Sequence, residues 1–176
     1  MILRKNRLQL LNLSEKVLQT KVVLSILCEL VFMKCVIIYH SKFGNNKQLC
    51  EAVGKDLEKD MEVKCLFVDE ASVDDVKAAD LVIIGGPTHV LRASRSMRKF
   101  LKELSKSKEE FSGKKAIAYG TRVKIGSAAK SIEKKLRKMG FDVIADPIDF
   151  YVSGQKGPFK EGEIERMIAH VRKAIR

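Results

Sequence analysis

Tryptophan is absent from this 176-residue chain, aromatic residues make up only 6% of it, and proline occurs three times. Glycine and proline together are too scarce for a collagenous or low-complexity chain. No apolar run reaches the roughly 18 residues of a membrane-spanning helix, because Glu29 and Lys34 interrupt the most apolar stretch, residues 22–39. That stretch also lacks a small-residue cleavage site, so no signal peptide is expected. The length predicts one compact domain and a short additional segment.

The four cysteines, at positions 28, 35, 50 and 65, also lack a recognisable pattern. No pair has the CxxC spacing and no histidine lies nearby in the sequence, so neither a zinc site nor a disulfide framework is indicated. Cys35 and Cys65 fall within predicted strands, where cysteines are more often packed thiols than redox centres. We therefore predict reduced thiols, no metal site and a cytoplasmic location.

Positive charge is concentrated in one part of the chain. Lysine and arginine number 34 against 22 acidic residues, which gives a net charge of +12. Residues 91–140 hold sixteen basic and four acidic side chains, so this segment alone carries the equivalent of the whole surplus. Such a surface attracts acidic proteins or polyanions by Coulomb steering. A solvated basic face without a partner is the alternative.

From Met33 onward, short apolar runs alternate with amphipathic stretches, as in βα units around a parallel sheet. Five strands are predicted, at residues 35–39, 63–68, 81–84, 115–119 and 143–152, the last interrupted at Pro147. The intervening helices include two at about residues 95–106 and 127–139. This alternation predicts an α/β three-layer sandwich over residues 33–176. Residues 1–32 do not fit it and are interpreted as an amino-terminal extension, either an extra helix or the product of an upstream start.

Three loops with glycines follow the first, third and fourth predicted strands, at residues 40–46, 85–90 and 120–124. Ligands of open parallel sheets bind beyond the carboxyl ends of the strands. The first loop precedes a helix, so its N–H groups and polar side chains could hold a phosphate there. It has neither the GK[ST] of a P-loop nor a GxGxxG sequence. Each loop alone is also explained as a turn, but together the loops are arranged as a mononucleotide site requires.

With these loops, the sequence from about Met33 to Arg176 resembles the flavodoxin-like family. The first loop looks like the family's phosphate loop, and residues 85–89 are similar to its second flavin loop. The sequences at 120–122, 126–129 and 157–158 are most similar to a sub-group of small, poorly characterised flavodoxin-like proteins. The resemblance implies a five-stranded parallel sheet of order 2-1-3-4-5, bound FMN and electron transfer. The residues that it implies around FMN are Ser41, Lys42, Phe43, Gly44, Asn45, Asn46, Pro87, Thr88, His89, Val90, Gly120, Thr121 and Arg122.

The chain departs from electron-transfer flavodoxins in three features. Those proteins usually stack the flavin between aromatic rings, often including tryptophan, whereas the loops here offer His89 and Tyr119. Flavodoxins are typically acidic, and this chain is strongly basic. Their phosphate loop usually ends in threonine, where Asn46 stands here. Loss of a stacking ring would remove roughly 1 kcal/mol of stabilisation and weaken flavin binding without abolishing it.

Two functions are compatible with these features. The first is an FMN-binding redox protein, either an electron carrier or a small flavin-dependent reductase, whose partner is an acidic protein such as a ferredoxin-like donor. The second is a flavodoxin fold without flavin that binds an acidic protein or nucleic acid through its basic segment. Phe100 and Phe111 look committed to packing, so no stacking platform for nucleic acid is evident. No catalytic residue is predicted for either function.

Overall fold

The computed structural model describes residues 33–89, 91–154 and 156–176. Their strands are β1 (Lys34–Tyr39), β2 (Glu62–Phe67), β3 (Leu81–His89), β4 (Arg92–Ala93), β5 (Lys115–Arg122), β6 (Asp142–Val143) and β7 (Ile148–Tyr151). Their helices are α1 (Asn45–Leu57), α2 (Val73–Ala78), α3 (Arg95–Leu104), α4 (Ala128–Lys138) and α5 (Glu163–Ile175), with a 3₁₀ helix over Ser105–Phe111. The predicted extension over residues 1–32 lies outside the described residues.

The strands form one sheet in the order β2-β1-β3-β5, with β6 and β7 both paired to β5. All these pairings are parallel, which confirms the predicted α/β class. The predicted count of five strands is wrong, since the described sheet has seven. The fifth strand is divided around Pro147, which has no N–H to donate to a ladder. The other strand that was not predicted is β4, which pairs antiparallel with the end of β3.

Two strands run further than predicted. The glycine pair at 85–86 was expected to end the third strand, but β3 continues through it and pairs Pro87 with Thr121 of β5. Gly85 pairs with β1 and β5, and the ring of Tyr119 occupies the space where an added Cβ would lie. Residues 120–122, predicted as a loop, are therefore the end of β5. This extension places Thr121 and Arg122 at the carboxyl edge of the sheet.

The sheet is buried on both faces, as its continuous apolar strands indicate. Successive side chains of β1 alternate between two cores, with Val36 and Ile38 in one and Cys35 and Ile37 in the other. The first core is covered by α2, α3 and α4, so α3 and α4 lie on the same side of the sheet. The second core is covered by α1 and α5. The result is the predicted three-layer sandwich.

Local signals in the sequence set several helix ends. Ser72 begins α2 with a capping box, in which its side chain accepts from the Asp75 N–H and its own N–H donates to the Asp75 carboxylate. The Ser127 hydroxyl accepts from the Lys130 N–H at the start of α4. Among the described residues, none of the helices combines the length and apolarity needed to cross a bilayer.

Candidate functional site

A cleft opens at the carboxyl edge of the sheet, where the ends of β1, β3 and β5 meet. Its volume is about 330 Å³, within the range of about 300–1,000 Å³ that is usual for small-molecule sites. The three loops predicted from the sequence converge on it. The residues that line the cleft are Ser41, Lys42, Phe43, Asn45, Asn46, Pro87, Thr88, His89, Thr121, Arg122, Val123 and Val152.

The loop after β1 leads into the amino terminus of α1. Gly44 stands immediately before the helix with φ of 89°, a left-handed conformation that glycine adopts without a steric cost. The first helical hydrogen bond runs from the Gln48 N–H to the Gly44 carbonyl at 2.9 Å. The N–H groups of residues 42–47 donate to no described atom outside the helix, and the first turn holds no acidic side chain. These N–H groups and the helix dipole make the loop suited to an anion.

Two asparagines tie this loop to other parts of the fold. Asn45 Nδ2 donates to the Gly157 carbonyl at 2.8 Å. Asn46, which is 3% exposed, donates from Nδ2 to the Thr121 hydroxyl at 2.9 Å. Its Oδ1 is buried without a hydrogen-bond partner in the described part of the chain. Each amide nitrogen keeps a second hydrogen that a ligand could use.

The second loop region contributes Pro87, Thr88 and His89 to the cleft, whereas the predicted Val90 lies outside the described residues. The Thr88 hydroxyl accepts from the Ala128 N–H at 3.0 Å, so it also satisfies a donor at the start of α4. The exposed ring of His89 lies 6.4 Å from that of His40, measured between ring centroids. Burial, and then the neighbouring His89, lower the pKa of His40, while Asp69 acts in the opposite direction.

The end of β5 supplies the third group. Arg122 donates to the Gly126 carbonyl at 3.0 Å and to the Tyr151 hydroxyl at 2.7 Å. Its guanidinium also lies 4.8 Å from the centroid of the Tyr151 ring. These contacts hold one positive charge in place at the cleft wall. Gly120, although predicted for the site, does not line the cleft and lies against Asp149 instead.

The aromatic composition of the cleft differs from the expectation. Tyr119, considered a stacking ring, is fully buried against Gly85 and does not reach the cleft. Phe43 lines the mouth and is 39% exposed. Val123, which falls in the predicted loop 120–124, and Val152, which was predicted as part of the last strand, also line the cleft, although neither was predicted as a site residue. The apolar wall is therefore mainly aliphatic.

A parallel sheet with helices on both faces and a cleft beyond its strand ends defines the class of open α/β proteins, whose ligands bind at this edge. A model of the flavodoxin family matches residues 37–168. The chain belongs to the flavodoxin family.

Individual relatives agree with this assignment. The "Flavodoxin" of Aquifex aeolicus (strain VF5) is 32% identical over 115 residues, which cover 61% of this chain and 62% of that protein. The match thus spans about three fifths of the length of this curated relative. A flavodoxin from the domain Archaea superposes with a TM-score of 0.69 at 25% identity, over 82% of this chain and 100% of the other. The rubredoxin oxygen:oxidoreductase of Desulfovibrio gigas shares the fold, with a TM-score of 0.67 at 20% identity over 81% of this chain and 36% of its own.

Proposed function

We propose that this chain binds FMN in the cleft and passes electrons to and from an acidic partner protein. The observation that carries the proposal is the start of α1, whose residues line the cleft, whose N–H groups have no described partner outside the helix, and whose first turn holds no acidic side chain. Bound FMN supplies the one- and two-electron chemistry that no side chain can provide. The protein itself would bind and orient the FMN and provide a surface for the partner protein.

The loop after β1 fits the phosphate of FMN. A phosphate dianion accepts several hydrogen bonds, and the N–H groups of residues 42–47 together with the Ser41 hydroxyl offer them at a positive helix end. Lys42 adds a positive charge within the same loop, with its Nζ 5.4 Å from the centroid of the Phe43 ring. The hydrogen bond from Asn46 to Thr121 joins the helix start to the end of β5, which connects the phosphate position with the cleft wall.

The rest of the cleft fits a flat, partly polar ring system. Phe43, Val123 and Val152 provide apolar contact area, and Thr121 and Arg122 provide polar groups. The guanidinium of Arg122, held by Gly126 and Tyr151, favours a ligand that carries negative charge at that wall. Aliphatic walls give less geometry-specific stacking than an aromatic pair, by about 1 kcal/mol, so we expect FMN to bind more weakly than to a tryptophan-lined site.

An acidic partner is supported by the surface of α3 and α4. In the described part of the chain, the ion pairs on these helices join Lys106 with Glu103 and Arg137 with Glu133. The basic residues of this surface, here called the basic face, are Arg95, Arg98, Lys99, Lys102, Lys106, Lys130, Lys134, Lys135, Arg137 and Lys138. Most of them lack a described acidic partner. Such a surface raises association rates with an acidic protein, and salt screens the gain.

A flavin-free binding module remains the competing function, because the basic face would serve it equally well. FMN titration separates the two. Purified protein should quench the fluorescence of FMN with a stoichiometry of one per chain. A protein that leaves FMN fluorescence unchanged would favour the binding module.

A double variant tests the phosphate position. Ser41→Ala with Asn45→Asp removes one donor and places a carboxylate at the start of α1, so the FMN dissociation constant should rise about tenfold or more. Lys55→Gln, an exposed change at the opposite end of the same helix, is the matched control and should leave the constant unchanged. A change of less than about twofold in the double variant would contradict the assignment of the loop.

A further inference from the structure

Two cysteines from different elements meet beneath α1. Cys50 lies on α1, and Cys65 lies on the edge strand β2. The Cys65 thiol donates to the main-chain carbonyl of Cys50 at an S–O distance of 3.3 Å. Cys65 is paired in register with Ile37, whose carbonyl accepts from the Cys50 thiol at 3.9 Å. Both thiols are therefore packed around the same residue of β1.

The packing of α1 on β2 allows this approach. Gly54, one turn after Cys50, has no side chain, and a Cβ added there would lie 3.1 Å from the Cys65 sulfur. The helix backbone thus comes close to β2 where the two thiols lie. The thiols differ in access, because Cys65 is exposed while Cys50 is 1% exposed.

The two thiols also differ in acidity. When Cys65 ionises, the Cys50 thiol can donate to its sulfur instead of to the Ile37 carbonyl, and this hydrogen bond lowers the pKa of Cys65, while burial and the nearby Glu51 and Glu58 act in the opposite direction. The same hydrogen bond and burial raise the pKa of Cys50. Reaction with an oxidant requires the thiolate, which is more accessible and more readily formed at Cys65. Cys50 is the neighbouring thiol, placed to attack the Cys65 sulfur once Cys65 is oxidised.

We propose that Cys65 and Cys50 form a peroxide-sensitive pair that closes to a disulfide. The Cys65 thiolate attacks hydrogen peroxide, the O–O bond breaks, and the departing hydroxide takes a proton to become water. Cys65 is then a sulfenic acid. The Cys50 sulfur attacks the Cys65 sulfur, the S–O bond breaks, and the hydroxyl leaves with the Cys50 proton as a second water. In total, two thiols lose two electrons and the peroxide gains them.

This disulfide would act on the cofactor site through α1. Cys50 lies four residues after Asn46, so both lie on the buried face of the helix, one turn apart. A bond that draws Cys50 towards β2 shifts the helix start and strains the bond between Asn46 and Thr121. This part rests on the proposed function and predicts that oxidation raises the FMN dissociation constant about fivefold or more.

Peptide mapping tests the pair directly. The reduced full-length chain is treated with hydrogen peroxide, remaining thiols are alkylated, and trypsin is added without reductant. The four cysteines fall on four separate tryptic peptides, at residues 22–34, 35–42, 48–55 and 65–77. We expect peptide 48–55 joined to peptide 65–77. Sulfinic or sulfonic acid on Cys65 with Cys50 alkylated would overturn the proposal, and so would a cross-link that involves Cys28 or Cys35.

Three variants sharpen the result. Cys35→Ala leaves the pair intact and should form the same cross-link as the wild type. Cys65→Ser changes an exposed position and should abolish it. Cys50→Ala should leave a sulfenic acid on Cys65 that dimedone traps, and lack of trapping in this variant would contradict the order of the two steps.

Flavin binding provides a separate readout. FMN is titrated into the wild type and Cys65→Ser after the same peroxide treatment, and only the wild type should bind more weakly. An unchanged dissociation constant in a protein that carries the cross-link would overturn the coupling to the cleft. Failure of the reduced protein to bind FMN would count against the proposed function, whereas the cross-link is scored without flavin.

Discussion

The two helical layers of this protein use their charges differently. In the layer of α1 and α5, Arg172 donates to the carboxylates of Asp56 and Asp60 and to the Asp56 carbonyl, and so ties the two helices together. In the layer of α3 and α4, the buried Nε of Arg98 has no described hydrogen-bond partner. Burial, and then the charge of Arg98, lower the pKa of the nearby Lys135. The first layer thus has an ion-pair group that joins two helices, whereas the ion pairs of α3 and α4 join residues close in sequence and leave most of the basic face without a described acidic partner.

The candidate site joins these two layers. The start of α1 supplies the predicted phosphate loop from one side of the sheet. The start of α4 comes from the other side and is held to the cleft by the bond between the Ala128 N–H and Thr88. A cofactor in the cleft would therefore lie between the layer in which Arg172 joins two helices and the layer that carries the basic face.

Overpacking the core of the α1–α5 layer should have the largest effect on stability. In Gly85→Ala, the new methyl group overlaps the fully buried ring of Tyr119. We expect the free energy of unfolding to fall by about 3 kcal/mol, as measured by urea denaturation. Gly154→Ala is the matched control, since an added Cβ there meets nothing. A loss for Gly85→Ala no larger than that of the control would contradict the close packing.

Breaking the ion pairs of the same layer should come next. Arg172→Ala should lower the free energy of unfolding by about 2 kcal/mol, because it removes charged hydrogen bonds from the half-buried Asp56. Lys59→Ala removes an exposed partner of the same carboxylate and should cost less than about 0.5 kcal/mol. Equal losses of unfolding free energy in the two variants would show that the Arg172 contacts do not stabilise the packing of α1 against α5.

The pH dependence of the free energy of unfolding is a second test of the ion pair between Arg172 and Asp56. Hydrogen bonds from Arg172, and then from Lys59, lower the pKa of Asp56. Its contribution to stability is therefore present above the ordinary aspartate pKa of about 3.9 and is lost as pH falls towards the lowered value. Between about pH 5 and pH 3, the wild type should lose more stability than Arg172→Ala. Parallel curves for the two proteins would contradict the assignment.

Local sequence patterns predicted the layers well and the strand ends poorly. The alternation of apolar runs predicted both cores, and Pro147 correctly marked the division of the last strand. The glycines at 85–86 were wrongly predicted to end the strand, because the sequence does not show that β5 pairs with both of them and β1 with Gly85. Val123, within the predicted loop 120–124, and Val152 were not predicted as ligand contacts, since only the tertiary fold brings their side chains to the cleft.

Reversing charge on the basic face should change association and leave the fold intact. Lys134→Glu with Lys138→Glu should lower the rate of electron transfer from an acidic ferredoxin about tenfold at about 20 mM salt and much less at about 500 mM. Lys55→Glu with Lys59→Glu, on the opposite layer, is the matched control. Electron-transfer rates that change neither with salt nor with charge reversal would show that the basic face is a solvated surface that does not recruit the partner.

The smallest effect on stability is expected from neutralising Lys135, which lies near Arg98. Lys135→Met removes a charge that burial and Arg98 disfavour, while the aliphatic stem is kept. The free energy of unfolding should stay the same or rise by up to about 0.5 kcal/mol. A loss of more than about 1 kcal/mol in urea denaturation would mean that this charge stabilises the fold after all.

The central claim is that the start of α1 holds the phosphate of FMN. Comparing FMN with riboflavin tests it directly, because riboflavin has the same ring system and lacks the phosphate. In parallel fluorescence titrations of the purified chain, the dissociation constant for riboflavin should be at least about tenfold higher than that for FMN. In the double variant Ser41→Ala with Asn45→Asp, the ratio of the two dissociation constants should be smaller. Equal affinity of the wild type for the two flavins, or no binding of either, would contradict it.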